Sequence, residues 1–357
     1  MATLVALVVM STLLVIHTGV DRYDRQMRVA VIGAGAIGGT ISALLARAGH
    51  EVQVVARGKQ LAALVSSGLQ LTGGWGDFSV RVDAVESLTI CPDIAFLTTK
   101  AQDARAALHA NAELLVGIPV VVVQNGLEGI SSARRAAPRS DIVGGLALYA
   151  ASYLSPGIIT VTTTGPTFLG GPALPALYAS KILGAVMPVE LTDNFEGAQW
   201  TKLIVNHVNG LSAATGLSVQ EVIGDRQLRA IMTETMREAV RVARASGIRF
   251  APLQGLSHRT LTALDRLPAS VGQLLPLLMR RRMGSRPNPG STLQSIRRGQ
   301  PTEIDYLNGA VVQRGAALGV PTPVNTELVE LVHEVEQSGE FIPTATVIER
   351  MRQPLRR

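Results

Sequence analysis

A lysine and two asparagines recur at helical spacing in residues 199–210, which read QWTKLIVNHVNG. On a helix of about 100° per residue, Lys202, Asn206 and Asn209 fall within about 60° of one another. Apolar residues flank this stripe, so the sequence predicts a lysine in a partly dry cleft. Desolvation lowers the pKa of a lysine towards working pH, and such an ammonium can protonate a developing alkoxide. The alternative interpretation is a solvated polar stripe.

A second polar segment covers residues 290–310, GSTLQSIRRGQPTEIDYLNGA. Ser291 can cap the short helix that follows, and Thr302 with Asp305 looks like a weaker capping box. Glu303, in a first helical turn, can complement the helix dipole. These structural interpretations compete with a functional one, in which the same polar side chains contact a substrate.

A glycine-rich turn follows a short apolar strand and opens a helix, the sequence context of a dinucleotide-binding loop. Its first glycine permits the tight turn, the second lets the backbone approach a pyrophosphate, and the third lets the helix pack against the strand. Unpaired N–H groups at the start of the helix favour the phosphates. The residues predicted to bind the cofactor here are Gly33, Gly35, Ala36, Ile37 and Gly38.

The end of the second predicted strand indicates which dinucleotide binds. Sites that prefer NAD usually place Asp or Glu there, for the ribose hydroxyls. This chain reads VVARGK at 54–59, with no acid at that point. Arg57 can pair with a 2′-phosphate and Lys59 can add positive charge. The sequence therefore favours NADPH, with a solvated basic turn as the alternative.

Strands and helices alternate along the first half of the chain, and helices fill the second half. Alternation predicts βαβ units and a mainly parallel sheet, with a hairpin within 152–171. From Phe195 onward we expect helices, at 196–214, 226–246, 303–318 and 325–337. The predicted fold class is α/β: an N-terminal Rossmann-type dinucleotide-binding domain over 27–192, followed by an all-helical C-terminal domain, 193–357, that carries the substrate and catalytic residues.

Composition narrows the functional classes. The chain has 357 residues, 47% of them apolar and 17% charged, which excludes a disordered or coiled-coil protein. A single cysteine, Cys91, excludes a disulfide scaffold, and no cluster of His, Asp or Glu has metal-ligand spacing. The net charge of +6 fits anionic small ligands as well as nucleic acid. Few aromatics and no recognisable module argue against nucleic-acid binding.

The first twenty residues are mostly apolar and carry no charged side chain. A segment of this length is just long enough for a membrane span. They lack the basic start and the small-residue cleavage site of a signal peptide. Met27 directly precedes the first strand, so residues 1–26 are expected to be an extension outside the fold. A membrane anchor, an export signal and a packed helix are the alternatives. An NADPH enzyme needs the cytosolic cofactor pool, so the expected location is cytoplasmic.

The chain resembles the ketopantoate reductases (2-dehydropantoate 2-reductases) from Met27 as far as Glu330. Five motifs occur in the order seen in that family: GAGAIGG at 33–39, LTTKAQD at 97–103, VQNGLEG at 123–129, KLIVN at 202–206 and STLQSIRRGQPTEIDYLNGAVV at 291–312. The resemblance implies an NADPH-binding Rossmann domain, a helical domain and an active site in the cleft between them. It also implies reduction of 2-dehydropantoate to (R)-pantoate in pantothenate biosynthesis.

The resemblance implies roles for individual residues. Lys202 matches the catalytic lysine, the general acid, and Glu303 matches a glutamate that contacts the substrate, supports catalysis and lies at the cofactor. Lys100 matches a lysine near the cofactor, and Arg57 the arginine at the 2′-phosphate. Ser291 matches the serine that holds the substrate carboxylate, and Asn125 lies near both the nicotinamide and the substrate. The full set of expected substrate-binding residues is Asn206, Asn209, Asn288, Ser291 and Asn125.

One departure from the family leaves alternatives open. The family usually has a second asparagine eight residues after the lysine, where this chain has Gly210; Asn209 is the adjacent candidate. The rival hypotheses are a related reductase of another 2-oxo acid and a non-catalytic NADP(H)-binding sensor. The expected partner is a small-molecule 2-oxo acid, with no nucleic acid and no membrane unless residues 1–20 are an anchor. A homodimer is compatible with the sequence, which does not specify the oligomeric state.

Overall fold

A computed structural model describes residues 26–283 and 287–356. The extension predicted over residues 1–26 therefore lies, apart from Gln26, outside the described residues. The chain divides into two compact units. The first contains the chain up to Thr99 together with Asp103–Gln124 and Ile130–Asp193. The second contains the chain from Asn194 and two short segments, Lys100–Gln102 and Asn125–Gly129, each of which follows a strand in the sequence.

The described residues of the first unit form twelve strands. They are β1 (Arg28–Ile32), β2 (Glu51–Val55), β3 (Leu69–Gly73), β4 (Phe78–Val80), β5 (Asp83–Val85), β6 (Ile94–Leu97), β7 (Pro119–Val123), β8 (Asp141–Ala147), β9 (Ala150–Ser155), β10 (Ile158–Thr163), β11 (Thr167–Gly170) and β12 (Val189–Leu191). The helices between them are α1 (Ala36–Arg47), α2 (Gly58–Ser67), α3 (Ala101–Ala110), α4 (Gly129–Ala136) and α5 (Ala173–Gly184), with a 3-10 turn at Ala112–Leu115.

Eight strands form one sheet in the order β12-β11-β8-β7-β6-β1-β2-β5. Neighbours from β8 to β5 are parallel, and β11 is antiparallel to β8. All four residues of β6 are buried, as expected for a central parallel strand with helices on both faces. The chain continues on opposite sides of β1, towards β2 and β6, and α/β sheets bind ligands at such a switch point. The sheet confirms the predicted α/β domain.

A second sheet has the strand order β4-β3-β10-β9. Strands β9 and β10 pair antiparallel, with Ile158 opposite Ser155, so the hairpin predicted within 152–171 is present. Strand β10 also pairs in parallel with β3. Helix α1 packs on this sheet at Gly39, where an added Cβ would lie 2.6 Å from Ile159 Cγ1. The start of α1 therefore packs against the second sheet, which the alternation of strands and helices in the sequence did not predict.

The turn between β1 and α1 accepts only glycine at two of its positions. Gly33 has φ +110°, and a Cβ there would lie 2.7 Å from the Thr99 amide nitrogen. A Cβ on Gly38 would overlap the Gly33 carbonyl oxygen and Thr98 Oγ1. The Thr98 hydroxyl donates to that carbonyl oxygen at 2.7 Å. These contacts fix the direction in which α1 leaves the sheet.

The second unit is helical throughout its described residues, apart from one isolated bridge between Leu253 and Leu256. Its helices are α6 (Phe195–Asn206), α7 (Val208–Thr215), α8 (Val219–Gly224), α9 (Arg226–Ala245), α10 (His258–Arg266), α11 (Ala269–Gly272), α12 (Leu274–Arg282), α13 (Gly290–Arg297), α14 (Asn308–Leu318), α15 (Pro323–Ser338) and α16 (Thr344–Arg350), with 3-10 turns at Ile304–Tyr306 and Pro354–Arg356. This confirms the predicted helical domain. None of the helices within 26–283 and 287–356 has the length and apolar character that a membrane crossing requires.

Helix α9 runs through the core of the second unit. Asp225 caps its start, since its Oδ1 accepts from the N–H groups of Gln227 at 2.8 Å and Leu228 at 2.9 Å. Its buried residues recur every three or four positions, so one face of the helix packs against its neighbours. Helices α7, α10, α14 and α15 all contact α9.

Two predicted helices are wrong in their boundaries. The helix predicted over 196–214 is interrupted at His207, whose N–H turns to the Ile204 carbonyl at 3.3 Å while its ring binds the Leu203 carbonyl. The segment predicted as a helix over 303–318 starts with a 3-10 turn, and α14 begins only at Asn308. The capping box predicted for Thr302 and Asp305 does not form, since Thr302 Oγ1 accepts from the Ile304 N–H at 3.2 Å instead.

The tight packing at Gly38 predicts that a larger residue there destabilises the fold. Gly38→Ala should lower the free energy of unfolding by about 2 kcal/mol, the usual cost of overpacking against rigid backbone. Gly35→Ala is the matched control, because a Cβ at Gly35 meets nothing within 4 Å. Chemical denaturation of the two variants measures the difference. Equal stability of the two variants would contradict the packing described for Gly38.

Candidate active site

Helix α6 holds Lys202 in an apolar setting. The helix is capped by Asn194, whose Oδ1 accepts from the Gly197 N–H at 3.0 Å, and it buries Trp200, Leu203 and Ile204. Burial lowers the pKa of Lys202 to about 8, although the negative charge of Glu303 raises it in part. An ammonium with this pKa is a much stronger acid than an ordinary lysine. The side chain of Lys202 is half-buried.

The carboxylate of Glu303 is held by two donors from the short segments of the second unit. Its Oε1 accepts from the Ala101 N–H at 3.4 Å, and its Oε2 accepts from Asn125 Nδ2 at 3.3 Å. Glu303 directly precedes the 3-10 turn, and its own carbonyl oxygen accepts from the N–H groups of Tyr306 at 3.0 Å and Leu307 at 3.1 Å. The structure thus brings Lys202, Glu303 and Asn125 together, as the sequence motifs suggested.

Gly126 lets the segment that carries Asn125 approach this turn closely. It has φ +83°, and an added Cβ would lie 2.5 Å from the Tyr306 carbonyl oxygen. Gln199, on α6, donates through Nε2 to the Gly126 carbonyl oxygen at 3.3 Å. Asn125 is therefore fixed from both sides, by Glu303 and by the helix that carries Lys202.

Lys100 lies in the other short segment and binds groups of the second unit. Its Nζ donates to Ser295 Oγ at 3.1 Å and to the Pro301 carbonyl oxygen at 2.5 Å. Gln102 reaches the Thr302 carbonyl oxygen from the same segment, at 3.5 Å. Sequence reasoning missed Ser295. The available signal was its spacing of four residues from Ser291, which places both on neighbouring turns of one helix.

Asn209 and Gly210 point to different surroundings. Asn209 is 7% exposed and lies against Gly290, where an added Cβ would overlap its Oδ1. Gly210 faces the core, where an added Cβ would lie 2.7 Å from Leu328 Cδ2. A larger side chain at position 210 would therefore meet Leu328. Asn206, the last residue of α6, is half-buried.

Ser291 is the second residue of α13 and is exposed, so it does not cap that helix as its position in the sequence suggested. The residue before the helix is Pro289. Asn288 is exposed and holds the start of α13, since its Oδ1 accepts from the Gly290 N–H at 2.9 Å. Its own N–H donates to Gln220 Oε1 at 2.8 Å. Asn288 thus orients the turn that directly precedes Ser291.

The glycine turn of the first unit has the features that a dinucleotide requires. Gly35 precedes α1, and a Cβ there would enter open space. The N–H groups of Ala36, Ile37 and Gly38 form no backbone hydrogen bond to another described residue, and the first turn of α1 contains no acidic side chain. Pyrophosphate oxygens suit such donors, because they and the positive end of the helix dipole favour anions. These residues fit a nicotinamide dinucleotide.

Arg57 ends the loop after β2 and directly precedes α2. It is exposed, as is Lys59, and β2 is followed by Ala56 rather than by an acidic residue. No described carboxylate pairs with Arg57. The contact with a 2′-phosphate that the sequence suggests for Arg57 stays a prediction.

Two family models match consecutive parts of the chain. The model described as "Ketopantoate reductase PanE/ApbA" matches residues 29–173, and its C-terminal counterpart, "Ketopantoate reductase PanE/ApbA C terminal", matches residues 194–336. The 2-dehydropantoate 2-reductase of Pyrococcus horikoshii is 27% identical over 320 residues, which cover 88% of this chain and 99% of that protein.

Solved structures agree with these matches. A PanE/ApbA family ketopantoate reductase from Ralstonia eutropha is 31% identical, with a TM-score of 0.75, over 88% of this chain and 99% of that one. A D-mandelate dehydrogenase bound to NADH and anilino(oxo)acetate shares the fold at 22% identity, with a TM-score of 0.72 and coverage of 88% and 99%. The chain therefore belongs to the PanE/ApbA ketopantoate reductase family and is an NAD(P)-binding oxidoreductase of the 2-dehydropantoate 2-reductase type.

Proposed function

We propose that this protein reduces 2-dehydropantoate to (R)-pantoate with NADPH. The observation that carries the proposal is the partly desolvated Lys202, whose pKa is lowered to about 8. It lies beside the carboxylate of Glu303, which accepts hydrogen bonds from Asn125 and the Ala101 N–H. The likeness to 2-dehydropantoate 2-reductases over nearly their whole length supports this substrate.

In this mechanism Lys202 is the general acid. When bound, the nicotinamide ring supplies a hydride to the C2 carbonyl of the substrate. The Lys202 ammonium donates a proton to the oxygen that becomes the new hydroxyl, and it does so readily because its pKa lies near neutral pH. Glu303 favours the protonated form of Lys202 by its charge. Its position also suits the C4 hydroxyl that distinguishes 2-dehydropantoate from plain branched 2-oxo acids.

The substrate carboxylate is assigned to the start of α13. Asn209 lies against Gly290 there, and Ser291 follows at the exposed end of the helix. The backbone N–H groups of a helix start attract a carboxylate, and a hydroxyl and a side-chain amide add donors of their own. Asn206 and Asn125 complete the set of amides on this side of the proposed substrate.

NADPH is the proposed cofactor because Arg57 stands where NAD-preferring chains usually carry an acid. Lys100 binds Ser295 and the Pro301 carbonyl oxygen. We therefore propose that Lys100 positions its segment near the cofactor and does not contact a phosphate. A second candidate function is the reduction of a different 2-oxo acid. The D-mandelate dehydrogenase with this fold binds NADH and anilino(oxo)acetate. Gly210 stands where the family usually has an asparagine, so the substrate contact made by that asparagine is absent here.

The test of the proposed function is NADPH oxidation by the purified protein against a panel of 2-oxo acids, with NADH in parallel. Turnover should be fastest with 2-dehydropantoate and NADPH. Activity confined to 2-oxo acids that lack the C4 hydroxyl would favour the second candidate function. Faster turnover with NADH would contradict the role assigned to Arg57.

Replacement of the general acid should abolish most of the chemistry. Lys202→Ala should reduce kcat by roughly 10²–10⁴, the usual contribution of a positioned acid. Lys181→Ala, at an exposed position of α5, is the matched control and should leave kcat unchanged. Steady-state kinetics with saturating NADPH measure both variants. Near-normal turnover by Lys202→Ala would overturn the assignment.

The pH profile should report the same lysine. Reduction requires the protonated ammonium, so kcat should decline above pH 8, by about tenfold per pH unit once the group is mostly neutral. Because Glu303 raises the pKa of Lys202, Glu303→Gln should move this alkaline decline to lower pH. A decline that moves to higher pH in that variant, or stays in place, would show that Glu303 does not act on Lys202 by its charge.

Cofactor preference should depend on Arg57. Arg57→Ala should raise the KM for NADPH by about 10- to 100-fold, the effect of losing a charge-assisted hydrogen bond of about 1.5–3 kcal/mol. The KM for NADH should change little, since NADH has no 2′-phosphate. Arg105→Ala, at an exposed position of α3, serves as the control for a general loss of positive charge. An equal effect on both cofactors would place Arg57 outside the 2′-phosphate site.

A further inference from the structure

The second unit buries a histidine between the two helices that carry the proposed substrate amides. His207 is fully buried, and its Nδ1 lies 2.8 Å from the Leu203 carbonyl oxygen. A carbonyl can only accept, so Nδ1 carries the proton. Burial lowers the pKa of His207 to about 4, against the opposing influence of Leu203 and Asn325. The ring is therefore neutral at ordinary pH, with a fixed tautomer.

The imidazole replaces a backbone donor in the helix. In a regular α-helix the Leu203 carbonyl would accept from the N–H of residue 207. Here that N–H turns to the Ile204 carbonyl at 3.3 Å, and the ring takes the Leu203 carbonyl instead. The chain tightens locally, α6 ends at Asn206 and α7 begins at Val208. A tightened turn advances the following residues further around the axis than a continuous helix would.

The two residues that follow Val208 lie against different helices. Asn209 lies against Gly290, directly before Ser291. Gly210 faces Leu328 and the Asn308 side chain, whose Oδ1 would lie 3.4 Å from an added Cβ. Asn209 thus reaches the start of α13 although it is seven residues after Lys202, one fewer than the family spacing.

A buried polar network lies near His207, although Nε2 of the ring has no hydrogen-bond partner in the described part of the chain. Asn325, whose side chain influences the ring, accepts at Oδ1 from Asn308 Nδ2 at 2.8 Å. It donates through Nδ2 to Glu238 Oε2 at 2.6 Å and to the Thr235 carbonyl oxygen at 3.1 Å. Glu238 also accepts from two N–H groups at the start of α15, at 2.8 and 2.9 Å. The side chain of Asn325 is therefore fixed by its own hydrogen bonds.

We propose that His207 is a positioning residue, which stabilises the interruption between α6 and α7 and thereby turns Asn209 towards Ser291 at the start of α13. This inference rests on the proposed function only in taking Asn209 as a substrate-binding amide. His207 contacts no reacting atom in this proposal; it acts through the backbone that carries Asn206 and Asn209.

Two variants separate the donor from the bulk of the ring. His207→Leu removes the donor to the Leu203 carbonyl, whereas His207→Asn retains an N–H donor near the position of Nδ1. His207→Leu should raise the KM for the 2-oxo acid about tenfold. This is the effect of losing one hydrogen bond of about 1–1.5 kcal/mol from a misplaced amide. The KM for NADPH and the pH of the alkaline decline should stay unchanged, and His207→Asn should recover most of the loss.

A matched control and a double-mutant cycle exclude a general loss of packing. His258→Leu also removes a histidine bonded to backbone, the Phe250 N–H at 3.2 Å, and should leave the KM unchanged. In Asn209→Ala, the further change His207→Leu should have little additional effect, because the amide that it misplaces is already gone. Additive effects, or an unchanged KM in folded His207→Leu, would overturn the proposal. If His207→Leu does not fold, a raised KM for the 2-oxo acid in His207→Asn, which keeps the donor, would overturn the proposal.

A crystal structure of His207→Leu, or of His207→Asn if the first does not fold, provides a readout independent of turnover. The proposal expects Asn209 to move away from Gly290 in His207→Leu and to remain there in His207→Asn. Asn209 unmoved in His207→Leu, or displaced in His207→Asn, would overturn it. Kinetics use whichever 2-oxo acid of the panel gives the highest kcat/KM. Failure of the wild-type protein to reduce 2-dehydropantoate therefore rejects the proposed substrate alone, while the structural comparison still tests His207.

Discussion

The balance between burial and charge at Lys202 is the constraint on which the site depends. Burial alone would lower the pKa of this lysine further, and a fully neutral amine could not donate a proton. Full exposure would return the pKa to its ordinary value and leave a weak acid. The carboxylate of Glu303 sets the compromise, so its own position must be fixed. Asn125 and the Ala101 N–H bind its two oxygens, and the 3-10 turn holds its backbone.

Two glycines allow backbone segments to approach the candidate site residues closely. Gly126 brings the segment of Asn125 against the Tyr306 carbonyl oxygen, and Gly290 brings the start of α13 against Asn209. Both glycines have positive φ, so any other residue there would meet both strain and a steric overlap. Gly33 does the same for the phosphate-binding turn of the first unit. Polar residues of the candidate site therefore lie beside glycines that leave room for them.

Much of the fold follows from the local pattern of the sequence, whereas the candidate site residues follow from motif spacing and from the family resemblance. The buried strands β1, β6 and β7 are continuous apolar runs, and the glycine turn has the spacing that its phosphate-binding geometry requires. Long-range pairings did not follow, because nothing local states that β3 joins β10 or that Lys100 reaches Ser295. The interruption at His207 was also hidden, since residues 196–214 have the composition of one continuous helix.

That interruption changes how the departure at Gly210 is understood. Counting along an ideal helix, the loss of an asparagine at this position removes a substrate contact. In the folded chain position 210 packs against Leu328, and the amide at position 209 lies beside Gly290 instead. Under the proposed role of His207, a change in backbone geometry would offset this change in sequence. The amide reaches the start of α13 from a different residue, so under the proposed role of His207 its distance and angle to a bound carboxylate would depend on the interruption there. Selectivity among 2-oxo acids would then depend on a buried residue that never touches the substrate.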